Sequence, residues 1–200
     1  MPTVTALRAA RRDRVAVELD GVAWRTLPLE AVVCAGLSVG TQLDRGRARV
    51  LRRELRRIEA LAVSVNALRR RSLSARTLET RLEQRGVASA ERAEAIATLE
   101  RAGLVDDRRF AEGRARMLAE RGRGNDAIRW ELEQGGIGND LAEQALTTLE
   151  PEAARAERIV ARRGGGVATA RFLLARGFGE DTVEHALEGV VGTGGETPIR

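Results

Sequence analysis

The sequence predicts a mostly α-helical protein in which a three-helix unit is written three times in tandem, behind a small β-β-α unit. Two observations carry that expectation. Three stretches repeat one message, "TRLEQRGVASAERAEAIATL" (80–99), "WELEQGGIGNDLAEQALTTL" (130–149) and "FLLARGFGEDTVEHALEGV" (172–190). Strand-like alternation is confined to the first 28 residues, whereas from Arg45 onward apolar residues recur at helical spacing. Aromatic residues make up only 2% of the chain, so its core falls to Leu, Val, Ile and Ala.

In "RVAVELDGVAWRTL", Val15, Val17 and Leu19 share one face, and Val22 and Trp24 follow the turn. Asp20-Gly21 is a favoured two-residue hairpin loop, because Gly accepts the positive φ such a turn demands. Pro28 suits the start of a short helix, "PLEAVVCAG", which Gly36 stops. A hairpin plus short helix is therefore expected over 1–45. Leu51, Leu55, Ile58, Ala62 and Val65 then step by four, three, four and three, which predicts one buried face of a long helix over 47–70. Arg52, Arg53, Arg56 and Arg57 straddle that face, with Glu54 and Glu59 offsetting part of their repulsion.

Aligning Gly86, Gly136 and Gly177 brings the three copies into register. Leu82, Leu132 and Leu173 stand four residues before the glycine, and Val87, Ile137 and Phe178 one after it. Ala95-Ile96, Ala145-Leu146 and Ala186-Leu187 follow, then Leu99, Leu149 and Val190. Each copy reads as a helix that buries a leucine and ends at a left-handed glycine cap. A second helix then buries an Ala-Leu type pair against the first. With preceding helices at 47–70, 107–121 and 151–163, the expected three-helix repeats span 46–103, 104–150 and 151–191. The tail 192–200 lacks an apolar anchor and is expected to be disordered. One such unit cannot bury enough surface by itself, so neighbouring copies supply the missing core.

Charge is uneven. Residues 1–85 hold 18 Arg against 9 acidic residues, and residues 86–200 hold 16 Arg against 20, with no Lys anywhere. Arg in place of Lys is what a GC-rich genome produces; its concentration in the first half suggests a polyanionic or acidic partner. The single cysteine, Cys34, has no partner for an internal disulfide, and no signal-peptide pattern or membrane-length apolar run is present. A cytoplasmic, membrane-free protein is expected.

Few motifs offer chemistry. Cys34 and the only histidine, His185, do not make a nucleophile pair without an orienting third group, nor a zinc site. No catalytic, metal or cofactor residues are assigned. "GRGND" (122–126) and "RRGGG" (162–166) lack the phosphate-loop pattern and read as interhelical turns, with Asn125 capping the next helix; contact with nucleic-acid phosphates is a second use. In "GLVDDRRFAEGRARMLAERG" (103–122), Gly103 ends one helix and Asp106 or Asp107 caps the next, a reading preferred over an acid/base or metal pair. Phe110, Met117 and Leu118 form its apolar stripe. "RRRSLSARTLETRLEQR" (69–85) gathers Arg69, Arg70, Arg71, Arg76, Arg81 and Arg85 around a helix start. Two readings stay open: a solvated face, or a site that grips phosphates or partner carboxylates in bidentate fashion. The scarcity of aromatics argues against base stacking.

"RRRSLSARTLETRLEQRGV", "ATLERAGLVDDRRFAEGRARMLAERGRG" and "IRWELEQGGI…LAEQAL" together resemble the RecX family of regulatory proteins, from about Leu61 to Leu187. The segment Gly103–Ala111 is the specific part of the likeness; the helix-turn-helix copies alone are not. The resemblance implies an elongated, curved array of three-helix repeats and no enzymatic activity. It implies binding to the RecA recombinase filament, lying along its groove and restraining strand exchange, ATP hydrolysis and coprotease activity. Some members also bind DNA, so single- or double-stranded DNA is a further expected partner; no cofactor or small-molecule substrate is. The six arginines are expected polar contacts by their charge, while Asp106, Asp107 and Phe110, which match the family motif, are expected as cap and core. The alternative is a DNA-binding protein acting through its Arg-rich half independently of RecA. The chain departs from shorter members in its N-terminal unit.

Leu132→Ala is expected to cost roughly 2–5 kcal/mol. An unchanged thermal melt would put Leu132 on the surface and break the register.

Overall fold

The computed structural model describes residues 1–191, so the expected tail at 192–200 lies outside the described residues. Three strands, β1 (Val4–Ala10), β2 (Arg14–Leu19) and β3 (Val22–Pro28), form an antiparallel sheet in the order β1-β2-β3. Asp20 and Gly21 both take positive φ, 49° and 81°, as the β2–β3 turn requires. Strand β1 is an addition to the expected hairpin. Its turn is built on Arg12 and Asp13 at φ 61° and 54°, a pair without the glycine of a favoured hairpin loop, and its burial does not alternate cleanly.

Helix α1 (Leu29–Cys34) follows, and then α2 (Arg45–Leu68), capped by Asp44, whose side chain accepts from the Arg47 N–H at 2.8 Å. Val4, Val15, Val17 and Leu27 of the sheet, Ala31 and Val32 of α1, and Leu51 of α2 form one buried cluster. Further along, the buried side of α2 differs from the expected stripe. Ala60 and Ser64 are fully buried, whereas Ala62 is exposed. Small residues are what that face uses to let the helices approach, and the Ser64 hydroxyl is satisfied by donating to the Ala60 carbonyl at 2.8 Å. Hydrophobicity alone favoured Ala62 and Val65; close packing selected the alanine and serine beside them.

Among the described residues, nine helices beyond α1 fall into three triplets: α2, α3 (Ala75–Gln84) and α4 (Ser89–Arg101); α5 (Asp107–Glu120), α6 (Asn125–Gln134) and α7 (Asn139–Thr147); α8 (Glu152–Arg163), α9 (Val167–Ala175) and α10 (Glu180–Val191). Leu82, Leu132 and Leu173 are each fully buried, and Ala95, Ala145 and Ala186 nearly so. Leu82 packs with Ala60 and Ala95, Leu132 with Ile128, Ile137 and Ala145, and Leu173 with Val160, Phe178 and Ala186. The glycines of the register sit at φ 74°, 80° and 79°. The chain divides into two compact units, Met1–Arg71 with Leu78–Ala102, and Ser72–Thr77 with the residues from Gly103 onward.

Within the second unit, the end of one helix closely receives the start of another. The Gly135 carbonyl accepts from the Ser74 and Thr77 hydroxyls, and a Cβ on Gly136 would lie 2.4 Å from Cβ of Arg76. The next junction repeats this. Gly124 N–H donates to the Arg176 carbonyl at 2.9 Å, and Asp126 N–H to the Gly177 carbonyl at 3.0 Å. There a Cβ on Gly124 would meet the Gly177 carbonyl oxygen at 2.1 Å. Gly86, the third glycine of the register, has nothing within 4 Å of its would-be Cβ.

Alanine at these glycines separates the two constraints. Gly86→Ala should cost about 1–2 kcal/mol, the penalty of a left-handed non-glycine residue. Gly136→Ala carries that penalty together with about 1–3 kcal/mol of overpacking against Arg76. Urea unfolding of the two variants measures the difference, and equal losses would show that the junction adds no constraint of its own.

Candidate partner-binding site

The last turns of α2 and the body of α3 border a cavity of about 430 Å³ in the first unit. Ala62, Val63, Ala67 and Leu78 line it with apolar surface, Asn66 and Gln84 with amides, Glu59 with a carboxylate, and Arg70, Arg81 and Arg85 with guanidinium groups. Three of the six arginines expected as contacts therefore converge. Arg69 and Arg71 are exposed and do not line the cavity. Arg76 belongs to the second unit, where its aliphatic stem covers Gly136. Sequence proximity grouped all six, but the chain leaves α2 and enters α3 through residues that pack elsewhere.

The local charge follows from where the carboxylates are spent. Glu83 and Glu79 of α3 lie toward Arg92 of α4, at 3.2 and 4.0 Å. On α2, Glu54 pairs with Arg57 at 2.9 Å, and Arg56 of the same helix reaches Glu91 of α4 at 3.0 Å. Hydrogen bonding to Arg57 holds the Glu54 carboxyl below its usual range despite burial. These pairs engage Glu54, Glu79, Glu83 and Glu91, and leave Glu59 as the carboxylate in the cavity lining. Among the described residues, no carboxylate stands at ion-pair distance from Arg70, Arg81 or Arg85. Three guanidiniums with fixed-fork donors, two amides and an apolar floor suit a carboxylate or phosphate group.

The other motifs are structural. Asp106 caps α5, accepting from the Arg109 N–H at 2.9 Å, while Asp107 reaches the start of a different helix and accepts from the Ala75 N–H of α3 at 2.8 Å. Each carboxylate satisfies a donor that a helix start leaves orphaned. Phe110 is half-buried against the core of α5, α6 and α7. Asn125 does not cap α6 as expected. Gly124 holds the cap position, and the Asn125 N–H is bound by the carboxylate of Glu152. The Asn125 amide oxygen is engaged instead by Arg155, a buried guanidinium that also donates to the carbonyls of Arg123 (2.8 Å) and Glu150 (3.1 Å). Burial pulls the Arg155 pKa below the usual arginine value. "GRGND" is thus a packed junction. Among the described residues no group of three or more His, Cys, Asp or Glu is placed to hold a metal ion.

Comparison with known proteins places these features in context. The family profile for the second three-helix domain of RecX matches residues 106–146. Regulatory protein RecX of Chromohalobacter salexigens is 34% identical over 133 residues, spanning 62% of this chain and 88% of its own. The protein of the same name from Halorhodospira halophila is 33% identical over 133 residues, covering 62% and 83%. A crystal structure of regulatory protein RecX has a TM-score of 0.80 at 19% identity, over 94% of this chain and all of its own. A second, RecX from Lactobacillus salivarius, has a TM-score of 0.61 at 19% identity, over 68% and 97%. These two likenesses concern the fold.

Proposed function

Because the chain belongs to the RecX family, we propose that it is a non-catalytic regulatory protein that binds the RecA recombinase filament and inhibits its recombination, ATPase and coprotease activities. The observation that carries this reading is its kinship to proteins named regulatory protein RecX across more than four fifths of their length. A filament offers the same surface at every turn. A protein made of similar helical modules, at 46–103, 104–150 and 151–191, can make several modest contacts at once and gain avidity beyond any one of them.

In this reading the cavity lined by Arg70, Arg81 and Arg85 receives acidic groups of the partner, while Arg69 and Arg71, which do not line it, add exposed charge. Arg76, whose stem packs on Gly136, belongs to the second unit and is proposed as a contact separate from that cavity. No described helix is long and apolar enough to cross a membrane. A cytoplasmic location, and action without cofactor or small-molecule substrate, belong to the same proposal.

A second reading, direct DNA binding by the first half without RecA, draws on the 18 arginines against 9 acidic residues in that half. The two separate in one assay series. RecA-dependent ATP hydrolysis on single-stranded DNA should slow when this chain is added below one molecule per RecA protomer. Arg70→Ala with Arg81→Ala and Arg85→Ala should weaken that inhibition several-fold, and the melt should move little because these side chains hold no ion pair. The pair Arg69→Ala and Arg71→Ala should weaken it less. Full inhibition by the triple variant would remove the site, and unaltered ATPase with the native chain would remove the function.

A further inference from the structure

The part of the chain after residue 85 is net acidic, yet its described residues include a concentration of positive charge that no carboxylate offsets. Arg163, the last residue of α8, lies over the ring of Phe172 in α9, with its guanidinium carbon 4.0 Å from the ring centre. Arg176, just past α9, approaches the same ring at 4.9 Å. The Arg176 guanidinium also donates to the Arg121 carbonyl at the end of α5 (3.0 Å), and exposed Arg162 precedes Arg163. Among the described residues, none of Arg121, Arg162, Arg163 and Arg176 has a carboxylate at ion-pair distance, whereas nearby Arg158 pairs with Glu150 at 2.7 Å.

Two like charges held on one ring repel each other, and the attraction of each to the ring face offsets only part of that cost. Neither guanidinium spends its donors on the ring; Arg176 gives one to the Arg121 carbonyl, and the rest of its donors and those of Arg163 face no carboxylate at ion-pair distance among the described residues. We propose that Arg163 and Arg176, seated on Phe172 and with exposed Arg162 preceding Arg163 along α8, bind the phosphate backbone of nucleic acid. A protein carboxylate brings one charge on a flexible arm. A nucleic-acid strand carries one about every 3.4 Å, so guanidiniums held side by side can engage neighbouring phosphates of one strand. The exposed Gly164–Gly166 turn beside Arg163 leaves room for a strand to pass. Because the arginines cover Phe172, bases do not stack there, and the contact is independent of sequence.

The test uses the full chain without recombinase, so its outcome is separate from the regulatory reading. Binding of labelled oligo-dT, and of a duplex of equal length, is followed by fluorescence anisotropy over a series of salt concentrations. Arg163→Ala with Arg176→Ala should weaken binding roughly tenfold and reduce the slope of log K against log salt by about 1.4 on the single strand or about 1.8 on the duplex. The arm that responds identifies the form bound. Arg163→Lys with Arg176→Lys keeps the charge and should retain most of the affinity. Unchanged affinity and slope in the alanine pair would overturn the proposal. So would an equal loss in the lysine pair, which would assign the effect to packing on Phe172. Binding of poly-glutamate to the patch with no binding of either oligonucleotide would overturn it in favour of an acidic protein partner.

Discussion

Helix starts close onto helix ends at two places in the second unit, and much of the local structure follows from those contacts. At one, Gly124 and Gly177 approach so closely that no side chain fits between them. At the other, the Gly135 carbonyl takes the hydroxyls of Ser74 and Thr77 while the Arg76 stem lies on Gly136. Bringing a helix start against a helix end buries donors and acceptors that water would otherwise satisfy, so each must find a protein partner. Carboxylates from the following triplet supply part of the answer. Asp107 of α5 takes the Ala75 N–H, and Glu152 of α8 takes the Asn125 N–H. Buried Arg155 completes the second junction by donating to two carbonyls and to the Asn125 side chain. The glycines and acidic residues that look like separate motifs along the chain thus act together.

The same allocation logic accounts for the charged surfaces. An arginine-rich chain without lysine is a set of bidentate donors, and what distinguishes one arginine from another is whether a carboxylate reaches it. Glu54, Glu79, Glu83 and Glu91 are drawn to Arg53, Arg57, Arg92 and Arg56 around α2, α3 and α4. The cavity-lining arginines on the other side of α3 are left with Glu59 as the one carboxylate in the lining. In the second unit, Arg114 and Arg129 find Glu131 and Glu143, while those on Phe172 find an aromatic ring. Net charge by halves of the sequence hides this, because an acidic half still contains a basic surface when its carboxylates are committed elsewhere.

Much of the helical pattern was legible from side-chain periodicity. The long helix expected over 47–70 runs Arg45–Leu68, and those expected at 107–121 and 151–163 run Asp107–Glu120 and Glu152–Arg163. The register of leucine, glycine and alanine held because each position does the same local job in every copy. The leucine is buried, the glycine stops the helix, and the alanine packs close. What escaped was decided by neighbours distant in sequence. Strand β1 exists because β2 offers it a ladder, not because its own residues announce a strand. Ala60 and Ser64 are buried in preference to Ala62 because close packing favours their side of α2. Asn125 looked like a cap and became a partner for Arg155.

Of the six arginines that composition assembled into one site, Arg70, Arg81 and Arg85 line a cavity, Arg69 and Arg71 stand outside it, and Arg76 packs in the other unit. The helices, their repeating order and the glycine turns between them were readable along the chain, since these depend on residues within a few positions of one another. Tertiary structure alone decided which carboxylate answers which arginine, and therefore which positive charges remain available. Ion pairing depends on distances of a few ångströms in space, and separation along the chain does not encode those distances.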